Sequence, residues 1–278
     1  MSEPHPVRQF LERLGTFDAY PRDVIAVSSL LPNFVDGILP GTAAFAGASG
    51  LYRPHGSTEL PDFPYERLMV IGHNVDCIVK FEYRRDSKVS HGDQVPGHKT
   101  MGTWTGLYSL LKKANVPRRE MFFTNVYVGL KEGEKPTGKF TRHPTPEFLG
   151  FCRDFLRLQV QTMQPRAILI LGVEAWEQLW PVIDSPHAPS AVLPPPGAFR
   201  ATLHGHRTWI VPAHHPSMQK RIGPDAEALR SVWHAERTSD RPSEADPLCP
   251  PQGQRSHTVP SCLSPLPSAA TSPDASGR

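Results

Sequence analysis

Three separate polar segments carry the side chains that could do chemistry in this sequence. They are residues 72–76 (Gly-His-Asn-Val-Asp), Thr124-Asn125 and residues 214–217 (His-His-Pro-Ser). An imidazole can donate a hydrogen bond to a developing anion, a carboxamide presents a donor beside an acceptor, and a carboxylate can accept a proton. Such groups suit a polar pocket that binds and activates a ligand, provided that the fold brings the three segments together.

Each polar segment follows or ends an apolar run that is typical of a buried strand. The runs are residues 68–71 (Leu-Met-Val-Ile), 121–126 and 208–211, and a further strand is predicted at residues 167–171. In an open α/β sheet, ligands bind beyond the carboxyl ends of the strands. If these strands are parallel, the three polar segments therefore meet at one edge of the sheet.

Helical patterns alternate with these strands. Residues 102–114 place leucines on one face, and residues 145–164 begin with Thr-Pro-Glu, a capping residue followed by proline and an acid. Shorter helices are predicted at residues 173–180 and 225–237. This alternation predicts an α/β fold, a three-layer α/β/α arrangement with a central, mostly parallel four-stranded sheet.

The sequence predicts three parts along the chain. We expect residues 1–65 to form an N-terminal extension that packs on the core, residues 66–237 to form the α/β domain, and residues 238–278 to form a disordered tail. The last 40 residues contain 8 prolines and 8 serines, with almost no large apolar side chains. Such a segment cannot offset its ordering entropy by burial.

Composition argues against several classes of protein. The formal net charge is only +3, so local patches must carry any affinity for a polyanion. The four cysteines show no Cys-x-x-Cys spacing, which argues against a zinc ribbon or a disulfide scaffold and favours reduced thiols in a cytoplasmic protein. No apolar run reaches the ~18 residues that span a bilayer, so we expect no membrane partner.

A metal site is not expected either. Several potential ligands occur within one stretch of the chain, but their spacing matches no standard site. They are His73, Asp76, Cys77, His91 and His98.

Taken in order, these motifs resemble those of the uracil-DNA glycosylase superfamily, as a divergent member, over residues 67–237. Gly72-His-Asn-Val75 lies where the family has its first motif, and Thr124-Asn125-Val126 resembles the second strand end, whose Asn reads the base. Residues 165–172 resemble the strand that leads to a Leu-Gly turn, and His215-Pro-Ser217 matches the second catalytic motif.

The sequence also departs from the family pattern. Val75 replaces the usual proline, and Met101 stands where a stacking phenylalanine is usual. Asn74 occupies the position that is acidic in the classical enzymes, as an Asn does in some other branches. The cysteines that bind an iron–sulfur cluster in the thermophile-type branch are missing.

The resemblance implies hydrolysis of the N-glycosidic bond of uracil or a similar damaged base in DNA, by a monomer and without a cofactor. The implied catalytic residues are Asn74, Asp76 and His215. The implied substrate-binding residues are Gly72, His73, Met101, Asn125 and Ser217. The implied DNA contacts are Arg84, Arg85, Lys131, Met218, Gln219, Lys220 and Arg221.

The residues leave four alternatives open. His214 rather than His215 could be the functional imidazole, and either Asn74 or Asp76 could activate the water. A module of the same fold could bind nucleic acid or nucleotide without cleaving it. A hydrolase could instead act on free nucleosides.

Overall fold

The structure is a computed structural model, and it describes residues 5–26, 62–74, 102–133, 140–185, 192–194 and 196–239. Of the expected tail, residues 240–278 lie outside this part of the chain.

Five α-helices and eight strands make up the described part of the chain. The helices are α1 (Pro6–Gly15), α2 (Gly102–Ala114), α3 (Pro146–Met163), α4 (Val173–Leu179) and α5 (Ile222–Ser239). The strands are β1 (Val24–Ile25), β2 (Leu68–Gly72), β3 (Met121–Asn125), β4 (Leu130–Lys131), β5 (Ala167–Leu171), β6 (Ile183–Asp184), β7 (Phe199–Leu203) and β8 (His206–Ala213). None of the described helices is long and apolar enough to cross a bilayer.

Six of the strands form the central sheet, in the order β3-β2-β5-β8-β7-β6. The first four run parallel, whereas β7 is antiparallel to β8 and β6 is antiparallel to β7. The mixed α/β fold with a mostly parallel sheet is therefore confirmed. The two antiparallel strands extend the sheet beyond the four parallel ones.

Helices cover both faces of this sheet, which explains why the parallel strands are apolar throughout. Side chains alternate between the two faces of a strand. In β2, Met69 and Ile71 belong to one buried cluster with α1, α3 and α4. Leu68 and Val70 belong to a second buried cluster with α2 and α5. The two clusters sit on opposite faces of the sheet, so the domain has three layers.

The N-terminal residues 5–26 pack on the same side of the sheet as α3. Helix α1 contacts α3, and Phe17 stacks on Phe151 with ring centroids 4.1 Å apart. Strand β1 pairs antiparallel with β4, with Val24 opposite Lys131. Aromatic burial and this short ladder therefore hold the first described segment against the sheet domain.

Candidate active site

The carboxyl ends of the four parallel strands lie at one edge of the sheet, and hydrogen bonds continue past them. Gly72 is the register partner of Asn125, and Leu171 is the partner of Ala213. Beyond these pairs, Val126 N–H donates to the Gly72 carbonyl at 2.9 Å, and Gly172 N–H donates to the Ala213 carbonyl at 2.8 Å. The polar residues that follow the strands are therefore held in a fixed order along this edge.

Asn125 is a deeply buried polar side chain at the end of β3, with 2% of its surface exposed. Its Nδ2 has no hydrogen-bond partner among the described residues. A Cβ placed on Gly72 would lie 2.5 Å from Asn125 Oδ1, so a glycine is needed for the amide to lie over the end of β2. A buried amide donor without a partner costs about 1–3 kcal/mol, which a ligand carbonyl would offset.

His215 follows β8 and is exposed. Its Nδ1 lies 2.7 Å from Ser217 Oγ and accepts from the Ser217 backbone N–H at 3.4 Å. Because a backbone N–H can only donate, Nδ1 is an acceptor and the proton of the neutral ring lies on Nε2. Desolvation by the surrounding protein lowers the pKa of His215, and the nearby carboxylate of Glu174 partly opposes this effect. The lowered pKa favours the neutral ring, which presents Nε2–H as a donor.

His214 has a different role from its neighbour. Its backbone N–H donates to Asp225 Oδ2 at 3.0 Å, and its Nδ1 lies 3.2 Å from Asp225 Oδ1. Asp225 is on α5 and is only 1% exposed. The His214 ring is thus tied to a buried carboxylate and anchors the loop that carries His215.

His73 and Asn74 form a second polar pair, at the end of β2. His73 Nδ1 lies 2.9 Å from Asn74 Oδ1, and since an amide oxygen only accepts, Nδ1 is the donor. The His73 ring also packs edge-on against Tyr127, with centroids 5.2 Å apart. Burial lowers the pKa of His73, the Glu174 carboxylate and the Asn74 hydrogen bond oppose this, and His215 and Lys131 lower it further.

Glu174 is a component of the site that sequence reasoning missed. It lies in the first turn of α4, two residues after Gly172. The φ of Gly172 is +86°, which favours glycine. A Cβ on Gly172 would lie 3.3 Å from His215 Cβ and 3.7 Å from Glu174 Oε2. The sequence did contain a signal for Glu174, because this acid lies two residues after the Leu-Gly that closes a predicted strand. Ligands bind beyond the carboxyl ends of such strands, and the other site residues were identified in this way.

Helix α2 packs directly against the His215 loop. A Cβ on Gly106 would collide with the backbone carbonyl of Pro216. The close approach of helix and loop therefore requires a glycine at this position, and it helps to hold His215 at the sheet edge.

A comparison with protein families gives a match to the model of the Uracil DNA glycosylase superfamily over residues 101–235. This part of the chain belongs to the uracil DNA glycosylase superfamily. The resemblance read from the motifs is thereby confirmed, and the domain is glycosylase-like. A comparison with curated proteins gave no match. Strand β2, with Gly72 and the residues after it, precedes the matched region and joins it through its pairing with β3 and β5.

The structure brings many of the predicted site residues of this glycosylase-like domain to one edge. Those that end or follow the parallel strands there are Gly72, His73, Asn74, Asn125, His215 and Ser217. Lys131 ends β4 and is close enough to His73 to affect its pKa. Met218 is exposed, and a short 3-10 turn, Gln219–Arg221, carries the next predicted DNA contacts, including Lys220.

Other predicted residues cannot be placed in this way. Asp76, Arg84, Arg85 and Met101 lie outside the described residues. So do Cys77, His91 and His98, which leaves His73 as the one potential metal ligand from residues 73–98 within them. Within the described part of the chain, no three His, Cys, Asp or Glu side chains come together as a metal site.

Proposed function

We propose that this protein hydrolyses the N-glycosidic bond of uracil, or of a similar damaged base, in DNA. The observation that carries the proposal is the buried amide of Asn125, whose Nδ2 has no described partner. A carboxamide presents a donor beside an acceptor, which matches the adjacent carbonyl and N–H of a uracil ring. Since the unpaired donor is costly in the free protein, a ligand carbonyl at this position would be strongly preferred.

The spacing of the strands suits one pyrimidine between Asn125 and His215. Strand β3 carries Asn125, and β8 leads to His215, with β2 and β5 between them. Adjacent strands lie about 4.8 Å apart, so the two strand ends are separated by about 14 Å. Gly72 lies close to the Asn125 amide and Gly172 lies close to His215 Cβ, so a glycine ends or follows each of the two strands between them.

The chemistry of these groups matches the charges of the reaction. As the bond between sugar and base breaks, negative charge develops on the base and positive charge on the sugar. The Nε2–H of neutral His215 can donate to the developing oxyanion, an effect that typically accounts for a few kcal/mol of barrier lowering. The amide of Asn74, held by His73 Nδ1–H, can orient the attacking water.

Access to the sugar requires that the base leaves the stacked duplex. Met218 is 53% exposed next to the His215 loop, where an apolar side chain could occupy the vacated stack. Lys220 and Arg221 follow it and are exposed, and each could neutralise one phosphate. These residues support DNA rather than a free nucleoside as the substrate.

The test uses single- and double-stranded oligonucleotides that contain one uracil, followed by hot alkali to break abasic sites. We expect breaks at the uracil with the wild-type protein, and their loss in His215→Ala and Asn125→Ala. His143→Ala is the matched control, because this exposed histidine bonds to Arg22 and is not one of the residues that end or follow the parallel strands. Binding without breaks would support a non-cleaving module, and neither binding nor breaks would redirect the proposal to free nucleosides.

A further inference from the structure

Glu174 lies between the two imidazoles of the site because of the strand order. Strand β5 pairs with β2 on one side and with β8 on the other. His73 follows β2, His215 lies two residues after β8, and Glu174 comes three residues after β5. Neighbouring parallel strands end at the same edge, so the chain that follows β5 begins between the segments that carry the two histidines.

The distances place the carboxylate beside the His215 loop. The position where a Cβ of Gly172 would lie is 3.7 Å from Glu174 Oε2 and 3.3 Å from His215 Cβ. The carboxylate charge also raises the pKa of both His73 and His215 against the lowering effect of desolvation by the surrounding protein. Glu174 itself is exposed, so its carboxylate is accessible to water and to a ligand at this edge.

Among the described residues, the site otherwise has few groups that can accept a proton. Asn74 can orient a water molecule, but its amide cannot take a proton from it. Asp225, the other carboxylate that contacts this loop, is buried and bonded to His214. Among the described residues at the strand ends, Glu174 is therefore the carboxylate that remains available for chemistry.

We propose that Glu174 is a catalytic base that accepts a proton from the attacking water. The inference rests on the proposed glycosylase function. The water oxygen forms a bond to the sugar C1′ while the C1′–N bond breaks, and the electron pair of that bond leaves with the base. One water proton passes to Glu174, and the base anion is held by the hydrogen bond from His215 Nε2–H. Solvent then removes the proton from Glu174 and protonates the released base.

The test compares Glu174→Gln with Glu177→Gln, which changes another exposed glutamate three residues later on α4. Loss of a general base typically slows a reaction by about 10²–10⁴-fold. We expect a fall of this size in the single-turnover rate of Glu174→Gln, with unchanged affinity for the uracil oligonucleotide. Glu177→Gln should keep the wild-type rate. In Glu174→Ala, added formate should restore part of the rate, because it can supply a carboxylate at the vacated position.

A second measurement is independent of activity. Removing the Glu174 charge should lower the pKa of both His73 and His215, which NMR titration measures. Glu177→Gln should leave both pKa values unchanged. The charged group that remains near His73 in these variants is Lys131. A wild-type rate in Glu174→Gln would overturn this inference alone, as would a slow variant without formate rescue. Absence of uracil excision by the wild-type protein would instead overturn the proposed function, and this inference with it.

Discussion

Replacing Gly72 by alanine tests whether the position of the Asn125 amide matters for activity. The new Cβ would lie 2.5 Å from Asn125 Oδ1, a separation that real Cβ atoms essentially never show. To reach the 3.4 Å of an ordinary contact, the amide oxygen must move by about 0.9 Å. A hydrogen bond from the amide to a substrate is weakened or lost by such a shift, because hydrogen bonds depend strongly on distance and angle.

The size of the effect follows from the burial of the amide. A buried polar group that loses its partner costs about 1–3 kcal/mol, which corresponds to a fall of about 5- to 150-fold in kcat/KM. The fold should tolerate the change, because Gly72 is not in the left-handed backbone region and glycine in a strand is unfavourable relative to alanine. We therefore expect a large loss of activity with little loss of stability.

The assay measures kcat/KM on a uracil oligonucleotide together with urea unfolding. Gly150→Ala on α3 is the matched control, since nothing lies within 4 Å of its Cβ position. It should gain about 0.5–1 kcal/mol in stability and keep wild-type activity. Wild-type kcat/KM in Gly72→Ala would refute the role assigned to Asn125.

Three further predictions concern the elements around the site. Gly106→Ala should lower the free energy of unfolding in urea by about 1–3 kcal/mol and should also lower the single-turnover rate, because its Cβ collides with the Pro216 carbonyl. Unchanged values for both would contradict the close packing of α2 against the His215 loop. Asp225→Ala should cost about 1–3 kcal/mol of unfolding free energy, because it leaves the His214 N–H without its acceptor. Burial lowers the pKa of His204 to about 4 in the folded protein. Between pH 6.5 and about 4 the unfolded chain therefore binds more protons than the folded protein, so stability should fall as the pH drops through this range. His204→Asn, which tolerates the left-handed backbone with φ of 51°, should flatten this dependence in urea unfolding at several pH values; an unchanged pH profile would refute it.

The sequence was sufficient for the fold class because the parallel strands are short apolar runs that end at glycine or polar residues. Local patterns were less reliable for β8. The sequence predicted a strand at residues 208–211, whereas β8 extends from His206 to Ala213 and includes Pro212. Pairing with β5 and β7 overrides the local polarity. Pro212 lies beyond the last β7 pair, at Ile210. Among the described strands, this part of β8 pairs with β5 alone, so a missing N–H is tolerated there.

The site shows a similar limit. His214 and His215 are adjacent, so the sequence could not separate them. The structure does so through Asp225, which lies eleven residues further on and turns His214 toward α5. Glu174 was missed because an acid in the first turn of a helix is common for reasons unrelated to catalysis. Its position between His73 and His215 depends on the strand order, which local sequence patterns do not specify.

The central claim is that Asn125 and His215 enclose one base extruded from DNA so that its bond to the sugar can be cleaved. The most direct test is to incubate the purified protein with an oligonucleotide containing one uracil and to quantify the free base by chromatography. The account predicts one molecule of free uracil for each abasic site, with strongly reduced release by His215→Ala and Asn125→Ala. Folded wild-type protein that releases no base from either single- or double-stranded DNA would contradict it.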